Sequence, residues 1–95
     1  MKYEVSKELY EAVTGEDTGD IFEIYYKPRI DFDTFFFKCK EWAFDNGVYL
    51  SSWKDGDYCY CEALVGVKEI DFEADSEQQA VFDATDYIRK ELLKW

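Results

Sequence analysis

The side chains in this sequence with the clearest claim to chemistry are the thiols of Cys39, Cys59 and Cys61 and the carboxylates that crowd its second half. On a strand, Cys59-Tyr60-Cys61 sends both thiols the same way, about 6.7 Å apart along the chain. Cys39 could bring a third to one soft metal ion. Each thiol, however, falls at a position expected to be apolar and buried, where a free Cys packs as a small hydrophobe. The expectation is three reduced, buried cysteines, no metal and no cofactor. An odd cysteine count also fits a reducing compartment better than a secreted disulfide framework.

Other constellations are excluded by residue type. The sequence contains no His, so it has no Ser-His or Cys-His nucleophile, no imidazole base and no mixed Cys/His zinc site. The five Gly residues form no phosphate-cradling run. Glu16-Asp17-Thr18-Gly19-Asp20 offers oxygens to Ca²⁺, but it lacks the ligand spacing of an EF-hand and follows a helix C-terminus, where the dipole disfavours anions. A polar surface loop explains it. Paired carboxylates hydrolyse glycosides only when they flank a deep cleft, which a chain of this size has little material to build. The protein is therefore expected not to be an enzyme; a small hydrolase or metal-binding module ranks third among the functional readings.

The most informative stretch is Glu69-Ile70-Asp71-Phe72-Glu73-Ala74-Asp75. As a strand it sends Ile70, Phe72 and Ala74 inward and lines its outer face with Glu69, Asp71, Glu73 and Asp75, one carboxylate per ~6.7 Å. Between Glu62 and Asp86 there are eight acidic residues and one basic residue, Lys68. Such a row repels itself unless something cationic answers it. A solvated strand face beside an acid-tolerant helix start is the plainer alternative. Aromatic residues make up 20% of the chain, more than one small core needs. Phe37 and Phe44, seven apart on a helix, and the strand residues Tyr49, Trp53, Tyr58 and Tyr60 are the candidate anchors for a partner. A helix covering the second sheet face would be the alternative use for them.

These residues need elements to hold them. The 95 residues suit one domain, 1–95, and 47% hydrophobic content supports a core. Ser6 caps a short helix, Lys7 to Thr14, closed by Gly15. Ile21 to Lys27, rich in strand formers and ended by Pro28, is expected as a strand. Asp31 or Asp33 caps a helix from Phe32 to Asp45, with Phe32, Phe35, Phe36, Cys39, Trp42 and Ala43 on its core face. Asp55-Gly56 between alternating runs predicts a two-residue type I′ hairpin in which Trp53 faces Tyr58, Ser51 faces Tyr60 and Tyr49 faces Glu62. Val48, Leu50, Cys59, Cys61 and Ala63 take the other face. Gly66 turns the chain into a further strand, Val67 to Ala74. Ser76 and Gln79 make a capping box for a last helix. Its core face is Ala80, Val81, Ala84, Tyr87, Ile88, Leu92 and Trp95, with Phe82 and Leu93 on the back. The expected fold class is α+β: a four-stranded antiparallel or mixed sheet with about three helices mainly on one face. One strand pair could be parallel through a right-handed crossover.

Twenty-two acidic against eleven basic residues give a formal net charge of −11. That field repels nucleic acid and anionic membranes and favours a basic protein surface, including that of a nucleic-acid-binding protein. The N-terminus lacks a signal-like apolar run and no segment is long enough to span a bilayer, so a cytoplasmic location is expected. In size and charge the chain resembles the small acidic proteins that bacteriophages use against host defence, among them anti-restriction and anti-CRISPR inhibitors. One reading of the acidic row is a nucleic-acid mimic that fills a basic groove on another protein. The row holds about half the charge density of one DNA strand, a coarse mimic. The functional expectation is a non-catalytic acidic binding protein. The alternative is a self-associating adaptor, a homodimer through its aromatic faces.

Overall fold

The computed structural model describes residues 3–92. Among the described residues three α-helices and three strands follow one another as α1 (Lys7–Thr14), α2 (Phe32–Asp45), β1 (Tyr49–Asp55), β2 (Tyr58–Val65), β3 (Lys68–Ala74) and α3 (Glu77–Tyr87), which a π turn over Ile88–Leu92 extends. The strands form one antiparallel sheet in the order β1-β2-β3, and the helices lie on one of its faces. The molecule spans 38 × 35 × 18 Å, a thickness that accommodates one sheet and one helical layer. Among the described residues no helix is long and apolar enough to cross a membrane.

Local chemistry explains the helix limits. The Ser6 hydroxyl accepts from the Leu9 amide at 3.1 Å, and Gly15 ends α1 with a φ of +76°. Asp31, rather than Asp33, caps α2 by accepting from the Thr34 amide at 3.2 Å. At the start of α3 only half of the expected capping box forms. The Gln79 amide donates to the Ser76 hydroxyl at 3.1 Å, but the Gln79 side chain turns away from Ser76. It instead brackets the backbone of Glu4, accepting from its N–H at 2.7 Å and donating to its carbonyl at 3.1 Å.

Three expectations need correction. The fourth strand is absent: residues 19–29 form short 3-10 and π turns instead, with the π turn over Phe22–Tyr26. Phe22 and Tyr26, one helical turn apart, both place their rings on Tyr10 at 5.6 and 5.9 Å, so the segment folds onto α1 rather than beside a strand. Among the described residues the sheet is consequently three-stranded and wholly antiparallel, with no parallel pair or crossover. Phe82 does not lie on the back of α3. It is fully buried, ringed by Tyr3, Phe32 and Phe35 at 5.9, 6.1 and 5.5 Å. The cause is that α3 packs on two sides, against the sheet and against α2, so its buried arc is wider than one stripe. The expectations for Leu93 and Trp95, and for the side chain of Leu92, lie outside the described residues.

The third correction concerns the first hairpin. Asp55 pairs with Tyr58, so the loop is Gly56-Asp57 and not Asp55-Gly56. Gly56 has a φ of +65° and Asp57 has no positive φ, the pattern of a II′ turn rather than I′. Moving the turn by one residue moves each pairing by two, so Trp53 opposes Tyr60 in place of Tyr58, and Ser51 opposes Glu62 in place of Tyr60. A two-residue slip preserves the faces. Gly66, with a φ of +64°, starts the same kind of loop between β2 and β3, leaving Val67 in the turn and β3 beginning at Lys68.

Candidate functional site

The paired registers define what each face of the sheet carries. On the helix side, Leu50, Ala63 and Ile70 form one rung and Ser52, Cys61 and Phe72 the next. The outward side reads Tyr49–Leu64–Glu69, Ser51–Glu62–Asp71 and Trp53–Tyr60–Glu73, with Asp55 and Tyr58 at the hairpin end. The aromatic set and the acidic row expected from sequence are thus adjacent columns of one surface. No helix covers it among the described residues: Tyr49, Trp53 and Tyr58 remain 56%, 42% and 52% exposed.

Within this face Trp53 and Tyr60 stack, with ring centroids 5.8 Å apart and planes 26° from parallel. The two rings line an open depression of about 500 Å³ together with Asp55, Glu62, Asp71 and Glu73. None of the outward strand positions is Lys or Arg. Among the described residues no ion pair reaches these acids; those present join Lys27 to Glu23 and Asp86 to Arg89 and Lys90. Partial burial, and then the charges of Glu69 and Asp71, raise the Glu62 carboxyl above its ordinary range. Tyr60 is raised by burial and then by Glu73 and Asp55.

Seven of the ten residues singled out from sequence therefore meet on one face: Tyr49, Trp53, Tyr58, Tyr60, Glu69, Asp71 and Glu73. Three do not. Asp75 lies past the last paired residue of β3 and lines a different depression, at the start of α3, along with Phe37, Lys54 and Gln78. Phe37 and Phe44 belong to α2 in the helical layer, 67% and 68% exposed. Glu62 and Asp55 are the members that sequence reasoning left out of the site. Alternation along β1 and β2 already places them beside Tyr60, so the signal was present.

The thiols sit on the other side. Cys39, Cys59 and Cys61 are free and buried. Burial pushes the Cys39 thiol up to about 12, against a smaller opposing pull from the Thr85 hydroxyl. Cys61 is likewise pushed up to about 12 by burial, so both are protonated and poor nucleophiles at neutral pH. Among the described residues no group of His, Cys, Asp or Glu is arranged to hold a metal ion. The acidic loop after α1 is internally employed. The Glu11 carboxylate accepts from the Thr18 amide at 2.7 Å and hydroxyl at 2.8 Å, which buries Thr18 and holds the Glu11 pKa below its ordinary value.

Comparisons with protein-family models, with curated proteins and with solved structures find no match for this chain, so the functional reading rests on the geometry of the open sheet face.

Proposed function

We propose that this domain is a non-catalytic binding protein whose open sheet face docks on a basic surface of another protein, as an inhibitor that occupies a nucleic-acid-binding groove would. The observation that carries this reading is the union of an exposed aromatic column with an acidic column on one face that contains no cation. Exposed Tyr and Trp supply rigid contact area. The carboxylates of Glu69, Asp71 and Glu73 supply a field that steers a cationic partner and rejects nucleic acid and anionic lipid. The row is costly to the free protein, since like charges on neighbouring positions repel. A partner's cations offset that cost. The small acidic proteins of bacteriophages that act against host defence would be the natural company for such a surface.

The test uses an oligolysine octapeptide as the basic probe. Its affinity is expected to fall roughly tenfold between about 50 and 300 mM salt as the field is screened. In the double variant Asp71→Asn, Glu73→Gln it should weaken several-fold at low salt, while thermal stability stays level or rises. Absence of binding at millimolar peptide, or equal affinity in the variant, removes the proposal.

A second reading follows from the exposure of Phe37 and Phe44 on α2. A homodimer through that stripe would show twice the chain mass in sedimentation, at low and high salt alike, because apolar burial is not screened.

A further inference from the structure

We propose that the depression on the open face takes an arginine side chain of the partner, its guanidinium stacked on the Trp53–Tyr60 ring pair and hydrogen-bonded by carboxylates of Glu62, Asp71 and Glu73. The inference rests on the reading of this face as a surface for basic proteins, and it names the group recognised there.

The strand register sets the arrangement. Trp53, Tyr60 and Glu73 are consecutive across one rung, and Ser51, Glu62 and Asp71 across the next. Directly opposed side chains on one sheet face start about 4.5–5.5 Å apart. An aromatic platform thus has a carboxylate beside it on its own rung and two more on the adjacent rung, all lining one depression of about 500 Å³. The depression is open and has room for the end of a long side chain. The two chemistries it offers are a π face and several hydrogen-bond acceptors with negative charge. Guanidinium answers both at once: it is planar, weakly hydrated enough to stack, and presents its N–H donors in a fork that matches carboxylates. The ammonium of Lys satisfies the charge but brings no plane to stack and holds its water more tightly.

The same chain uses each half of this recognition elsewhere. The Arg29 guanidinium lies 4.2 Å from the centre of the Tyr25 ring. Arg89 donates from two nitrogens to Asp86, at 3.0 and 2.9 Å. On the open face both halves are present without the arginine, and among the described residues no ion pair answers the carboxylates that line the depression.

The experiment compares two octapeptides of equal length and charge, one alternating Gly with Arg and the other Gly with Lys, by NMR shift titration at about 50 mM salt. The Arg peptide is expected to bind about five-fold more tightly. Its largest shifts should fall on Trp53, Tyr60, Glu62, Asp71 and Glu73. Tyr60→Leu should abolish the preference for Arg over Lys, and Tyr60→Phe should retain it. The unliganded spectrum of each variant reports whether it is folded. Equal affinity for the two peptides overturns the arginine subsite and leaves the broader proposal of an anionic docking face standing. So does a preference that survives Tyr60→Leu. Failure of both peptides to bind removes both proposals together.

Discussion

The two faces of this sheet are built from alternate residues of the same three strands, yet they obey different rules. On the helix side Cys61, Ala63 and Leu50 are small or branched, nearly without exposed surface, and locked against α2 and α3. Beside them in sequence stand Tyr60, Glu62 and Tyr49, partly or largely exposed on the opposite face. The covered face is optimised for the chain's own stability. The open face keeps large rings in water and like charges side by side, which a face used only for folding has no reason to do. The period of two puts the core on one face and the proposed docking surface on the other.

The contrast can be broken most forcefully from the covered side. Phe82→Ala should cost about 3–5 kcal/mol, the usual loss for a fully buried ring, because Tyr3, Phe32 and Phe35 pack around it. Trp53→Ala, which removes a residue of comparable size from the open face, should cost about 1 kcal/mol or less, the worth of one exposed ring pair. Urea denaturation of both variants measures the difference; similar losses would mean that the open face is structural after all.

A smaller effect is expected at the turn that sets the two faces in register. Gly56 has a φ of +65° with open space where a Cβ would stand, so the cost expected of Gly56→Val is backbone strain. A loss of about 1–3 kcal/mol in the same denaturation assay is expected, with the fold retained.

The smallest effect distinguishes two carboxylates by sign. Glu62 on the open face has its pKa raised, so the folded state holds its proton more tightly than the unfolded chain does. The charged form is a burden above that raised pKa, and the burden is relieved as pH falls through it towards the ordinary value of 4.5. Glu62→Gln should accordingly melt higher than the wild type at neutral pH, with the gap closing as pH approaches 4.5. Glu11, lowered by its bonds to Thr18, runs the other way: its contribution is present above 4.5 and lost as pH drops through its depressed value. Thermal melts across that range are the measurement. A Glu62→Gln variant less stable than the wild type at neutral pH would contradict the reading of that face as self-repelling.

What could be read from sequence was whatever is decided within a few residues. The limits of α1 and α2 follow from Ser6, Gly15 and Asp31, each acting on its own helix end. The misjudged regions were decided at a distance. Ile21–Lys27 has strand composition, but Phe22 and Tyr26 pack on Tyr10 and the segment pairs with neither edge strand of the sheet. Phe82 looked superfluous on a helix assumed to have one buried stripe; Tyr3, from the other end of the chain, gives it a second. The members of the candidate site were legible by alternation. Their union was not, because placing the aromatic column beside the acidic one depends on how β2 pairs with β3, and the Gly66-Val67 turn alone does not fix that from composition.

The bracket that Gln79 forms around the backbone of Glu4 has a consequence for the order of assembly. It joins positions 75 residues apart, whereas the sheet is two successive hairpins closed by two-residue loops. Loop-closure entropy grows with separation, and contacts between distant residues are slow to form. The meander and α3 can therefore organise first, from nearby pairings, with the N-terminal segment arriving last to seat Tyr3 against Phe82. In kinetic terms the Glu4–Gln79 bracket is expected to act as a closing latch, set after the hairpins of the sheet have formed.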